Sequence, residues 1–293
     1  MIKIMKSAWV LLFLVLTLST AKDAQTYNEI NKACKKNDAK SCYSLAQLSR
    51  KSDDKKKFYR KSCKLGYAKS CTKMADFFDA NPDDKDSFNK RVKYHKLGCK
   101  GYAEGCRELA DLYSFFNEDK EAVPYYKLAC EKGSGYGCRQ LAWVYEKGNG
   151  IQKNTKKSLH YYRKTCLLES SECWFIGEHY VNGTLGVKVD YDKGKQYFET
   201  SCRGNSAAGC YKLGNLYYAG KGVERDYAKA KKYYEKSCNR TGSSTRKKGC
   251  NNLAVLYEKG KGVKKNRQKA KHYYSLSCKY GYEKACKTLN SLK

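Results

Sequence analysis

The sequence has 293 residues, of which 16 are Cys, 27 Tyr and only 2 Pro, and it carries a formal net charge of +31. So few prolines over such a length point to helices, and an apolar fraction that leans on Tyr and Ala excludes one thick aliphatic core in favour of many thin helix contacts. The lysines are scattered along the whole chain as solvated helix faces, which excludes a focused nucleic-acid patch.

The N-terminus, MIKIMKSAWVLLFLVLTLSTAKDAQ, has the organisation of a processing segment. Lys3 and Lys6 form a charged start, Ala8 to Leu18 an apolar run, and Ser19-Thr20-Ala21 a small-x-small site, so cleavage is expected after Ala21. The apolar run is shorter than the ~20 residues that span a bilayer. No Cys lies near the cut to carry a lipid anchor. The expectation is a secreted or periplasmic protein with no stable membrane insertion. Its mature charge of +29 serves solubility and a weak attraction to anionic envelope polymers.

From residue 22 onward the cysteines fall into eight couples whose first members recur at intervals of 29, 36, 31, 36, 36, 36 and 40. A period near 36 means stacked supersecondary units. The reading is a single solenoid domain over 22–293. It comprises a leading helix at 22–34, hairpins at 42–63, 71–99, 106–130, 138–166, 173–202, 210–238 and 250–278, and a closing helix at 283–293.

The first and third hairpins are short and lack a G-x-G loop, and the second replaces that loop with DANPDDKDS. Pro124 falls inside the second helix of the third hairpin, which is expected to start late or bend there. The later hairpins are regular, apart from one extra residue in the NGTLGV loop of the fifth. In helix A, an aliphatic residue stands three after the second Cys of a couple, a small one four after, and an aromatic seven after, as in Leu213, Gly214 and Tyr217. Those offsets share one helical face. Gly148, Gly220 or Gly260 closes helix A. Asn154, Asp226 or Asn266 then caps helix B, whose Ala230, Tyr234 and Cys238 again share a face.

Two pairings of the cysteines are geometrically open: start to end of one hairpin, or across the link between successive hairpins. The first strands Cys34 and Cys286, while the second uses all sixteen. The expected bridges are therefore Cys34–Cys42, Cys63–Cys71, Cys99–Cys106, Cys130–Cys138, Cys166–Cys173, Cys202–Cys210, Cys238–Cys250 and Cys278–Cys286. Each short loop would contribute about 2–3 kcal/mol. The spacings are not metal-binding ones, and His95, His160, His179 and His272 are scattered, so no metal and no cofactor are expected.

The stretch GCYKLGNLYYAGKGVERDYAKAKKYYEKSC at 209–238, matched closely at 138–166 and 250–278, resembles the Sel-one-like repeat, a relative of the tetratricopeptide repeat. With paired cysteines and a leader, the whole mature chain resembles the Helicobacter cysteine-rich proteins. That resemblance implies an all-α, right-handed α/α superhelical solenoid with a concave groove, one disulfide per repeat, and export. It also implies penicillin binding and slow β-lactamase activity.

The residues themselves carry no such chemistry. S-x-x-K occurs at Ser52, Ser70, Ser87 and Ser244, without an S-D-N element, and Arg240-Thr241-Gly242 is an isolated approach to K-T-G. Bonded cysteines supply no thiolate. Catalytic residues are left unassigned.

If the A helices line the groove, the positions off the buried stripe are Arg139, Gln140 and Trp143, then Trp174, Phe175 and Glu178, then Lys212 and Asn215, then Asn251 and Asn252. Of these Gln140, Trp143, Trp174, Asn215, Asn251 and Asn252 are the candidate ligand contacts: amide side chains to hold an extended backbone, and flat rings for apolar contact. The packing of Trp143 and Trp174 between repeats is the competing reading. Three functions follow: a monomeric scaffold binding extended peptides or cell-wall fragments, a weak β-lactamase acting on β-lactams, or a secreted protein recognised by host surface proteins.

Overall fold

The computed structural model describes residues 25–78 and 84–292. The leader and its cleavage site at Ala21, and most of the DANPDDKDS loop, lie outside the described residues. What is described is all-α, with no strand among the described residues. The chain divides into two compact units, Met1–Lys132 and Gly133–Lys293, each a stack of αα-hairpins.

In the first unit a leading helix α1 (25–35) precedes the hairpins α2–α3 (Ala39–Leu48, Ser52–Lys64), α4–α5 (Ala68–Ala75, Lys85–Gly101) and α6–α7 (Ala103–Phe115, Asp119–Glu131). In the second unit the hairpins are α8–α9 (Gly135–Lys147, Thr155–Leu168), α10–α11 (Trp174–Asn182, Tyr191–Arg203), α12–α13 (Ala207–Ala219, Tyr227–Cys238) and α14–α15 (Arg246–Lys259, Arg267–Lys279). The unit ends with α16 (Glu283–Ser291). α7 runs through Pro124 and begins five residues ahead of it, so the expected late start does not occur. Pro124 lies in the second turn, where it forgoes one bond, to the Lys120 carbonyl, and the helix continues on either side of it.

The apolar stripe of helix A forms the core. Leu45, Met74, Leu109, Leu141, Ile176, Leu213 and Leu253, three after each second Cys, are fully buried. The small residue beside each has a steric reason. A Cβ on Gly177 would sit 2.8 Å from the Phe198 ring, and one on Gly214 would sit 2.7 Å from the Tyr234 ring. Glycine there lets the aromatic residue of helix B lie directly on helix A.

The loops close as their residues dictate. Gly148, Gly220 and Gly260 end their helices in the left-handed conformation. Asn154, Asp190, Asp226 and Asn266 each accept a side-chain hydrogen bond from an N–H three residues on. Their own N–H groups donate back to the carbonyls of Tyr145, Tyr180, Tyr217 and Tyr257. The loop thus fastens itself to helix A while capping helix B.

Two further devices recur. The residue before the cysteine of helix B is often Ser or Thr, fully buried. Its hydroxyl crosses to the start of the same hairpin: Ser62 to the Ala39 carbonyl at 2.6 Å, Ser237 to Ala207 at 2.9 Å, Ser277 to Lys247 at 2.6 Å. On the opposite side, the aromatic residue of helix A stacks on a tyrosine of helix B, with centroids 5.6–5.7 Å apart in Tyr145–Tyr161, Tyr180–Tyr197, Tyr217–Tyr233 and Tyr257–Tyr273. Lys157, Lys193, Lys229 and Lys269 lie over those rings at 5.3–5.6 Å. This explains why a Lys-rich repeat keeps so many tyrosines.

Bridges join the end of one hairpin to the start of the next. Cys34–Cys42, Cys63–Cys71 and Cys99–Cys106 lie in the first unit. Cys166–Cys173, Cys202–Cys210, Cys238–Cys250 and Cys278–Cys286 lie in the second. Their Cα atoms are 4.3–4.8 Å apart. Cys130 and Cys138 are also disulfide-bonded, and no described cysteine is free. A chain with every thiol oxidised belongs in an oxidising compartment outside the cytosol. No helix among the described residues is long and apolar enough to cross a membrane.

Candidate functional site

In the second unit the A helices bring the expected groove residues into one register, and most of them bond from helix to helix. The Arg139 guanidinium of α8 lies 5.1 Å from the Phe175 ring centroid of α10. Lys212 of α12 forms an ion pair with Glu178 of α10. Asn252 of α14 donates to the Asn215 side-chain oxygen at 3.2 Å, and that oxygen also accepts from the Tyr234 hydroxyl at 2.8 Å. Lys212 and Asn252, two after the cysteine, thus meet Glu178 and Asn215, five after it, in a polar row along α10, α12 and α14.

The row uses some candidates internally. Asn251 is buried and donates to Asn252 at 3.3 Å. Trp174 is half-buried, stacked on Phe175 with centroids 3.7 Å apart and packed against the core of Phe198, Leu213 and Leu216. Trp143 stands 40% exposed, and Gln140 beside it on α8 is partly exposed. An incoming ligand would therefore find Gln140, Trp143 and the outer edges of Asn215 and Asn252.

The serines weighed for acyl chemistry lie elsewhere. Ser70 is fully buried, and its hydroxyl donates to that of Ser62 at 2.6 Å, so it is part of a hairpin clasp. Ser52 and Ser244 are exposed, and the N–H of Ser87 donates to the Asp84 cap of α5.

The first unit holds a feature that the motif reading passes over. A cavity of about 390 Å³ is lined by Asp76 of α4, Arg91 and His95 of α5, and Arg107, Glu108, Asp111, Leu112 and Phe115 of α6. His95 is 3% exposed, with its Nδ1 3.5 Å from the Glu108 Oε2. That contact makes no hydrogen bond: His95 Nδ1, Glu108 Oε2 and Arg91 Nε have no hydrogen-bond partner among the described residues.

The other charges are engaged. Arg107 pairs with Glu104, with Glu108 at 3.1 Å and with Asp111, and Lys73 pairs with Asp76 at 3.0 Å. Burial, helped by the positive charges of Arg91, Arg107 and Lys73, pushes His95 down to about 3. Burial also raises Glu108 to about 7 against the pull of Arg107. At neutral pH the histidine is uncharged and the glutamate titrates.

A signal for this cavity was present in the repeat register. Four residues before the cysteine of helix B the chain has Tyr59, His95, Tyr126, Tyr162, Phe198, Tyr234 and Tyr274; eight before, α5 has Arg91 where α13 and α15 have Ala230 and Ala270. Only α5 puts an imidazole in the first position. Counting histidines along the chain hides this, whereas aligning them on the cysteine reveals it.

Known proteins fall into line with the geometry. The Sel1 repeat pattern matches residues 103–134, 135–170, 173–206, 207–241 and 247–286. A protective antigen of uropathogenic Escherichia coli superposes with a TM-score of 0.66 at 23% identity, over 90% of this chain and 58% of that one. A Sel1 repeat protein from Oxalobacter formigenes does so at 0.62 and 23% identity, over 70% of this chain and 84% of its own. Helicobacter pylori cysteine-rich protein B is 34% identical over 46% of this chain and 94% of its own, with a TM-score of 0.38. Among curated proteins, chitin synthase regulatory factor 3 of Schizosaccharomyces pombe is 30% identical over 101 residues, a third of this chain and 11% of the yeast protein. The chain thus spans just over half of the E. coli protein and about a tenth of the yeast one.

Proposed function

The chain belongs to the Sel1 repeat family, and from that premise we propose that it is an exported, non-catalytic scaffold whose second unit binds an extended peptide or cell-wall fragment along α8, α10, α12 and α14. The observation that supports this reading is the polar row along α10, α12 and α14, with the exposed Trp143 and Gln140 at the corresponding positions of α8. Amide side chains held by neighbours are pre-oriented to bond a backbone, which reduces the ordering cost of binding. Flat aromatic surface supplies the apolar part of the contact.

Hydrolysis of β-lactams, which the resemblance to Helicobacter proteins brings with it, is not supported by Ser70 or by the cysteines. Ser70 is consumed by the Ser62 clasp, and the described cysteines are bonded. Recognition by host surface proteins has no residue of this chain to recommend it.

The sequence provides its own reporter. Cleavage after Ala21 removes Trp9, leaving Trp143 and Trp174 as the only tryptophans of residues 22–293. Extended peptides and soluble cell-wall fragments titrated into that oxidised chain should shift its fluorescence saturably. Trp143→Phe should remove most of the shift, and Gln140→Ala should weaken binding. If Trp143→Phe leaves the affinity and the full signal intact, the row is not the binding face. Saturable turnover of a chromogenic cephalosporin by the same sample, lost on scrambling its disulfides, would replace the scaffold reading with the hydrolytic one.

A further inference from the structure

We propose that the cavity between α4, α5 and α6 in the first unit is a binding site for a free α-amino acid with an apolar side chain, held by both of its charged ends. Three orphan groups belong to residues that line this cavity. Two are acceptors once Glu108 is ionised: Glu108 Oε2 as a carboxylate, and His95 Nδ1 when the neutral ring carries its proton on Nε2. The third, Arg91 Nε, is a donor with a permanent charge.

A buried polar atom left without a partner is unfavourable by roughly 1–3 kcal/mol. Three such atoms around one cavity are therefore an unfinished hydrogen-bond set. A ligand that completes it needs a cationic donor for Glu108 and His95 and an anionic acceptor for Arg91, close together on one small molecule. An α-amino acid zwitterion has that arrangement.

The balance of charge points the same way. The groups facing the cavity or pairing at its edge are Asp76 and Lys73 from α4, Arg91 and His95 from α5, and Glu104, Arg107, Glu108 and Asp111 from α6. Lys73 is matched by Asp76, and Arg107 is encircled by Glu104, Glu108 and Asp111. With Glu108 ionised the set has one more anion than cations, which favours the ligand ammonium beside Glu108, while Arg91, in no ion pair among the described residues, is left to hold the ligand carboxylate. The remaining wall is apolar: Leu112 is buried, and Phe115 is 68% exposed at 5.3 Å from Phe116. It offers contact surface to an aliphatic or aromatic side chain. The orphan atoms have almost no accessible surface, so binding requires Arg91 and Glu108 to turn them toward the cavity.

Binding draws Glu108 into its ionised form beside the ligand ammonium, so it releases a proton near neutrality and tightens as pH rises from 6 to 8. The charged and titratable groups packed around Glu108 are Asp76 and Lys73 from α4, Arg91 and His95 from α5, and Glu104, Arg107 and Asp111 from its own helix.

The test uses the oxidised chain, three probes and calorimetry at pH 7.5. L-Phenylalanine carries both ends, 2-phenylethylamine only the amine and 3-phenylpropanoate only the carboxylate. Phenylalanine should bind at least ~10-fold more tightly than either analogue, a difference of about 1.4 kcal/mol. Glu108→Gln should reduce the affinity for phenylalanine to about that for 3-phenylpropanoate, and Arg91→Gln to about that for 2-phenylethylamine. No heat with phenylalanine at millimolar concentration overturns the proposal. So does equal binding of the three probes, which needs no variant, or unchanged binding by Glu108→Gln and Arg91→Gln. Trp143→Phe, in the other unit, should bind phenylalanine as the parent chain does, which separates this site from the peptide face.

Discussion

In α13 the residue four before the cysteine is Tyr234, whose hydroxyl ends on Asn215; in α5 the same register holds His95, whose Nδ1 has no hydrogen-bond partner among the described residues. One turn earlier α13 has the fully buried Ala230, where α5 has Arg91. Both hairpins are joined to the next by a disulfide with its Cα atoms under 5 Å apart. One fills the space between helices with a ring and a methyl group, and the other leaves a cavity walled by charge. In a linear stack each hairpin depends on its immediate neighbours. A joint fastened covalently keeps its register even when the packing beside it is poor. The bridge thereby lets one repeat give up core packing for a polar pocket while the others remain scaffold.

The largest effect that probes this contrast is loss of core packing. Leu253 of α14 is enclosed on all sides, so Leu253→Ala should destabilise the oxidised chain by about 2–5 kcal/mol. Leu112 of α6 is almost as buried but borders the cavity. A side chain with a void on one side has fewer contacts to lose, so Leu112→Ala should fall at about the low end of the same range. Urea unfolding of both variants checks it. Equal losses would mean that the cavity closes up in solution and the two hairpins do not differ.

Returning α5 to the common register should come next. Arg91→Ala with His95→Tyr removes two orphan groups and gives the new hydroxyl an acceptor. Asp76 stands five after Cys71 as Asp111 stands five after Cys106, and Asp111 accepts from Tyr126 at 2.8 Å. The double variant should gain ~1–3 kcal/mol, read as a higher urea midpoint at unchanged slope. It should also lose phenylalanine binding. A drop in stability would show that Arg91 and His95 are packed to advantage as they stand.

The regular hairpins were legible because their determinants are local. A stripe at offsets of three, four and seven, a closing glycine and an Asx cap act within a turn or two of helix, as Leu213, Gly220 and Asp226 illustrate. The clasp of Ser237 on the Ala207 carbonyl joins residues 30 apart, and only the repetition of Ser or Thr before Cys hinted at it. The cavity was hardest to read. His95 departs visibly from the register, but its meaning depends on Glu108 and Asp76, on two other helices. The groove residues were placed in the right register, but nothing in the sequence said that Asn215 would spend its oxygen on Asn252 and Tyr234, or that Asn251 would be buried.

The effects of pH are read by their sign, which differs from group to group. For Glu108 the ordinary value is 4.5 and burial raises the folded one to about 7. Below 4.5 both states are protonated; as pH rises towards 7 the unfolded chain ionises first, so stability declines and the deficit is full above 7. For His95 the ordinary value is 6.5 and the folded one about 3. The unfolded chain takes up its proton first as pH falls through 6.5, and stability declines on that side as well. Glu108→Gln should flatten the alkaline limb, and His95→Tyr the acid one. Asp226, the cap of α13, behaves oppositely to Glu108. The hydrogen bond from the Lys229 N–H holds its carboxyl below 3.8, so its contribution is present above that pH and is lost as pH falls through the lowered value. Asp226→Asn keeps the cap, as Asn154 and Asn266 do in their hairpins, so it should leave stability at pH 7 nearly unchanged and remove only this loss in acid. A pH profile of the urea midpoint for the three variants separates the limbs. If Glu108→Gln and Asp226→Asn alter the same limb, the polar cavity does not hold its glutamate as the geometry requires.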